Sequence, residues 1–145
     1  MIVSILSVLL FLVFAVLSGF HFYWIFGGTF GINKVIPTKE GATLNKQVIP
    51  PVATLVVALG LLFFGLLYLL KGGFIHIPLP NRVIAYGTWF VPSIFLLRAI
   101  GDFNYVGFFK KVRNTDFAKA DSTLFSPLCL GIGASGFAIQ LLDGI

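Results

Sequence analysis

Charge is scarce in this sequence. Only 10% of its 145 residues are Asp, Glu, Lys or Arg, against about 25% in a soluble domain, and that deficit excludes an ordinary water-soluble fold. The single cysteine, Cys129, rules out an internal disulfide and falls in an apolar run. No His, Cys, Asp or Glu grouping has metal-ligand spacing, and no nucleophilic triad or phosphate-binding loop is present, so no cofactor or metal is expected. The N-terminus lacks a basic segment, and Ile2–Gly19 is longer than the apolar part of a signal peptide, so this stretch reads as a retained first helix. The net charge of +5 comes from loop residues, which suits anionic lipid headgroups and gives no nucleic-acid surface.

What the sequence does have is apolar length. It is 58% hydrophobic and 16% aromatic, and four long apolar runs with their connections use up the whole chain. The expected fold is all-α and integral to the membrane: a four-transmembrane-helix bundle with short loops, one domain over residues 1–145, helices at about 2–26, 52–70, 84–109 and 125–142.

Each helix carries one stripe of small or polar residues. In the first it is Ser4, Ser7, Phe11, Phe14, Ser18 and His21, after which Tyr23 and Trp24 suit an interfacial aromatic belt and Gly27, Gly28 and Gly31 end the helix. The second offers Thr54, Ala58, Gly65 and Tyr68, after Pro50 and Pro51 at its start. The segment FIHIPLP follows, with His76 read as a loop residue rather than a ligand.

The third helix needs more length than its first apolar piece provides. Ile84 to Leu97 is 14 residues, about 21 Å at ~1.5 Å per residue, against a hydrocarbon core of ~30 Å. It is therefore expected to continue through Arg98 and Asp102 and to stop at Lys110 and Lys111, with Thr88, Val91, Phe95, Arg98, Asp102 and Tyr105 along one face and a kink at Pro92. Asp121, Ser122 and Thr123 read as N-caps for the fourth helix, whose stripe is Ser126, Cys129, Gly133, Gly136 and Gln140. Its GIGASG string formally matches a dinucleotide fingerprint. No strand precedes it, and small residues there allow close helix packing instead. In lipid all four stripes should turn inward.

Loops one and three hold Lys34, Lys39, Lys46, Lys110, Lys111, Arg113 and Lys119, with Arg98 beside them; loop two holds only Lys71 and Arg82. By the positive-inside rule, eight against two places loops one and three in the cytoplasm and both termini outside. His21, Tyr23, Trp24, Arg98, Asp102, Asn104, Tyr105 and Asp121 then share the cytoplasmic end. Arg98 and Asp102, four residues apart on one helix face, are the expected pair.

The strings HFYWIFGGTFG and RAIGDFNYVGFFKKVRNTDFAKADSTLFSPLCL resemble a bacterial membrane family catalogued only as a domain of unknown function (three-nine-nine-five). The residues that carry the likeness are Trp24, Gly27, Gly28, Pro37, Arg98, Gly101, Asp102, Phe117, Ala118, Asp121, Ser126 and Pro127. The resemblance implies a four-helix, multi-pass protein of the bacterial cell membrane and brings no activity with it.

Three functions are open on these residues. The first is binding or transport of an anionic or amphipathic small molecule or lipid, with Arg98 as the anion contact and Tyr23, Trp24, Asn104, Tyr105 and Asp121 around it. The second is a membrane enzyme acting on a lipid or isoprenoid, with His21 and Asp102 as acid and base. The third is an accessory or structural subunit in which the charges tie helix ends together. No helix has an acidic residue at its centre, which argues against a small multidrug antiporter. Membrane lipids are the expected partners, nucleic acid is not, and a homo-oligomer is left open.

Overall fold

The computed structural model describes residues 1–37 and 50–144. The expected first-loop positions of Lys39, Glu40 and Lys46 lie outside the described residues. Among those described there is no strand, and the helices are α1 (Ile2–Ile25), α2 (Ile32–Val35), α3 (Pro51–Lys71), α4 (Asn81–Ile100), α5 (Asp116–Ala120) and α6 (Ser126–Asp143), with one π-helical turn, Asp121–Phe125, joining α5 to α6. Four spans, α1, α3, α4 and the continuous Asp116–Asp143 unit, are long and apolar enough to cross a membrane, which makes this a multi-pass membrane protein.

The four helices pair as α1 on α3 and α4 on α6, with lesser contacts of α1 with α6 and of α3 with α4. Apolar burial gives little drive between helices in lipid, so close packing and buried polar contacts must do more. Both are present between α1 and α3. Ser18 Oγ donates to the Ala58 carbonyl at 2.7 Å, and Ser4 Oγ to the Gly72 carbonyl at 3.4 Å. Gly65 faces Phe11 and Phe14, close enough that a Cβ there would sit 3.1 Å from the Phe11 ring. Phe14 is fully buried and meets the rings of Phe64, Tyr68 and Phe95. Outside this core the chain shows lipid an apolar coat, including Val16, Val56, Phe63, Phe90 and Leu97.

The third span differs from its expected bounds. It begins at Asn81 rather than Ile84, and it ends at Ile100 rather than Phe109. Its 20 residues cover about 30 Å, so the length beyond Ile84–Leu97 is supplied at both ends, by three residues before Ile84 and by Arg98–Ile100 after Leu97. Gly101 ends the helix at φ 87° and ψ −167°, a conformation nearly confined to glycine. Residues 101–115 then form an irregular segment in which Phe103 (φ 62°) and Gly107 (φ 90°) also take left-handed φ.

The start of the fourth span is also earlier than expected. Thr115 caps α5 by accepting from the Ala118 amide at 3.0 Å, so Asp121, Ser122 and Thr123 lie inside a continuous helical unit rather than at its cap. At the far end of the bundle Lys71 pairs with Asp143.

Candidate functional site

The chemistry gathers on Asp121. Its residue is 0% exposed, and its carboxylate accepts four hydrogen bonds. Oδ1 takes Arg98 Nη2 at 2.6 Å. Oδ2 takes the Gly107 amide at 2.8 Å, Ser126 Oγ at 3.0 Å and Lys110 Nζ at 3.1 Å. A carboxylate has about four lone-pair positions, so Asp121 is saturated.

Lys110 is saturated as well. Its side chain is fully buried, and Nζ donates to the Gly107 carbonyl at 2.9 Å, to Asp121 and to Ser122 Oγ. Three donors meet three acceptors. Arg98 is different: a third of its side chain is exposed, and Nη1 is buried with no hydrogen-bond partner among the described residues. Two cations against one carboxylate leave one net positive charge, and the one unmet donor in the set belongs to Arg98.

Local backbone geometry makes this arrangement possible. The π-helical turn begins at Asp121; such turns insert an extra residue into a helix and recur at functional sites. It places Asp121 and Ser126 so that both oxygens meet, five residues apart. Gly101 and Gly107 bring the 101–107 segment back on itself, and the Phe108 amide donates to the Ala99 carbonyl at 2.8 Å. A Cβ on Gly107 would come 2.3 Å from the Ile100 carbonyl oxygen. That contact leaves the Gly107 amide and carbonyl facing Asp121 and Lys110.

The expected Arg98–Asp102 pair does not form. The relation of four residues on one face requires a helix through Asp102, and the helix stops at Ile100. Asp102 is instead exposed, and Oδ1 accepts the backbone amides of Tyr105 at 2.8 Å, Asn104 at 2.9 Å and Val106 at 3.0 Å. These bonds, led by Val106, hold its carboxyl below the usual carboxylate range. A carboxyl with a depressed folded-state pKa contributes stability that is complete above its ordinary value of 3.8 and lost as pH falls through the lower folded value. On acidification from about pH 5, the parent protein should therefore lose melting temperature more steeply than Asp102→Asn, measured in the same detergent. Parallel curves would show that the turn draws nothing from the charge.

The other expected site residues are close in sequence but engaged locally. His21 Nδ1 lies 2.7 Å from the Leu17 carbonyl, and its ring packs edge-on to Trp24. Trp24 Nε1 donates to the Phe30 carbonyl at 2.9 Å, and Tyr23 Oη accepts the Phe30 amide at 3.3 Å. These two side chains thus fasten the turn after α1. Asn104 offers its carbonyl to the amides of Lys111 and Val112, while the Tyr105 amide is one of those bound to Asp102. Asn33 of α2 donates to Asp116 of α5 at 3.2 Å, tying the end of the first span to the start of the last.

Lys110, Gly107 and Ser122 were not legible as site residues. Lys110 reads in sequence as the basic stop to a helix, and nothing in its spacing marks it as buried. The pair Gly101 and Gly107 was the available signal for a tight turn. A groove of about 540 Å³ lies at the opposite end of α1, between its first turns and residues 72–74. Its walls, which include Met1, Ile5, Leu9 and Phe74, are mostly apolar, so it does not compete with the charged cluster as a polar site. No group of three or more His, Cys, Asp or Glu able to hold a metal occurs among the described residues.

A family model described as a protein of unknown function, DUF3995, matches residues 14–135, which includes every residue around Asp121. No curated protein and no solved structure matches the chain.

Proposed function

Because the chain belongs to the DUF3995 family, whose description carries no activity, we propose a function from the site itself: binding of an anionic amphipathic molecule through its phosphate or carboxylate, at the end of the bundle that carries Arg98. The positive-inside bias supports placing that end at the cytoplasmic leaflet. The observation that carries the reading is Arg98 Nη1, a buried donor without a partner among the described residues, beside an otherwise satisfied cluster. A buried donor left unpaired costs about 1–3 kcal/mol, and a guanidinium presents a planar fork suited to an anion. The irregular segment that follows α4 also exposes the rings of Phe103, Phe108 and Phe109, with Lys111 and Arg113, which suit the headgroup layer.

The test uses melting temperature in a neutral detergent, with three additions: phosphatidylglycerol, phosphatidylcholine and inorganic phosphate. A ligand that binds only the folded state stabilises it by about 2.7 kcal/mol at a hundred times its Kd. Phosphatidylglycerol should raise the melting temperature and phosphatidylcholine should not. A rise with inorganic phosphate as well would assign the contact to the phosphate group alone. In Arg98→Gln the rise should disappear while the fold persists, because Lys110 still neutralises Asp121.

A second reading, an accessory or structural subunit, draws on the saturation of Asp121, which joins α4, the 101–115 segment and α6. It is the answer if no anion raises the melting temperature of the parent. The enzyme reading has less support, since His21 and Asp102 are each engaged by backbone groups of their own segments.

A further inference from the structure

Three helices meet at Gly136. A Cβ there would lie 2.7 Å from Pro92 Cβ and 2.7 Å from Tyr68 Oη, so the proline of α4 and the phenol of α3 both rest on the bare backbone of α6. Each of the three helices carries, at this contact or one helical turn from it, a polar group whose usual partner is missing among the described residues. Tyr68 is 0% exposed and its hydroxyl has no hydrogen-bond partner among the described residues. Pro92 has no N–H, so the Thr88 carbonyl loses the donor that a helix would supply. The Thr88 hydroxyl is committed elsewhere, to the Ile84 and Ala85 carbonyls. Gln140 lies one turn beyond Gly136 on the same face, is 9% exposed, and its Oε1 has no partner among the described residues. Helical side chains lean toward the N-terminus of their helix, which brings the Gln140 amide back toward Gly136.

Inside a bilayer each such group costs several kcal/mol if left unpaired, and proline breaks in membrane helices are commonly re-satisfied by ordered water. A buried water typically makes about three hydrogen bonds. The groups here match that number and its polarity: one hydroxyl donor, Tyr68, and two acceptors, the Thr88 carbonyl and Gln140 Oε1.

We propose that this junction is a water-binding site within the membrane-spanning core. The bound water accepts from Tyr68 Oη–H and donates to the Thr88 carbonyl and to Gln140 Oε1, linking α3, α4 and α6. The site is separate from the Arg98 cluster and does not depend on what that cluster binds.

Two measurements test it on the full chain in lipid nanodiscs. X-ray hydroxyl-radical labelling modifies buried side chains where a bound water supplies the radical. With each rate normalised to the denatured protein, Tyr68 should label severalfold faster than Phe14, its equally buried stacking neighbour. Separately, Tyr68→Phe removes only the hydroxyl. If that oxygen were unpaired, its loss would raise the melting temperature or leave it unchanged; if it holds a shared water, its loss lowers it. The expected results are fast labelling of Tyr68 and a lower melting temperature for Tyr68→Phe. Labelling of Tyr68 no faster than Phe14, or a Tyr68→Phe protein as stable as the parent or more so, overturns the proposal.

Discussion

Asp121→Asn is expected to remove most of the folded protein at the temperature where the parent is fully folded. The change is nearly isosteric, so packing is not the cause. Asp121 carries the only negative charge that bonds Arg98 and Lys110 among the described residues. Arg98 is partly exposed and can turn toward the headgroups, but Lys110 is fully buried and has no such escape. Removing one partner of a buried ion pair typically costs about 3–5 kcal/mol, a large share of the roughly 5–15 kcal/mol by which proteins are stable. The amide also has one NH2 group where a carboxylate oxygen accepted bonds, and in either orientation that group faces donors, the Arg98 guanidinium on one side or the Gly107 amide and Lys110 on the other. Apparent melting temperature and the yield of monodisperse protein in detergent are the measurements.

The companion change separates charge from geometry. Lys110→Met together with Asp121→Asn removes the stranded buried cation, and it should recover a substantial part of the loss, since well-packed apolar replacements of buried pairs are often nearly neutral. If Asp121→Asn melts with the parent, the clamp contributes little and Arg98 and Lys110 find other partners.

How much of this was legible follows from which forces are local. The inward stripes could be read because polar side chains within an apolar helix have few places to go. Ser7, Ser18, Thr54, Tyr68, Cys129, Gly136 and Gln140 are accordingly buried. Asp121 was read as part of the polar cluster, since its position relative to the fourth span fixes its depth. Of its partners, Arg98 belongs to that same cluster, while Lys110 and the Gly107 amide were not readable. The pairing of Arg98 with Asp102 rested on extending a helical period past Gly101, and one left-handed glycine cancels every relation beyond it. Arg98 therefore reaches a carboxylate 23 residues away instead of one four residues away. Hydropathy misled over the span in the same manner. Asn81 and Arg82 are polar, so the apolar run starts later than the helix, and a sequence reading adds the whole missing length at the far end, where only Arg98–Ile100 are helical. The π-helical turn has no hydropathy signature at all.

The largest backbone effect is expected at Gly101. A Cβ there would lie 1.8 Å from the Val106 carbonyl oxygen and 2.7 Å from Gly107 Cα. Neither is the end of a flexible side chain, so relief requires the backbone itself to move. The dihedral angles alone, φ 87° and ψ −167°, cost a residue with a Cβ about 1–3 kcal/mol, and the collision adds to that. Any shift of residues 106–107 carries the Gly107 amide off Asp121 and the Gly107 carbonyl off Lys110. The strain thus spreads into the buried cluster, and Gly101→Ala should resemble Asp121→Asn in lowering the melting temperature. It should also expose the 101–115 segment to limited proteolysis, with Lys110, Lys111 and Arg113 becoming sites for trypsin. Gly131→Ala is the matched comparison: a Cβ there meets nothing within 4 Å, and alanine in a helix gains roughly 0.5–1 kcal/mol over glycine. The two single-methyl additions should therefore move stability in opposite directions. A Gly101→Ala protein that melts with the parent and resists trypsin would mean that this turn does not hold Lys110 against Asp121.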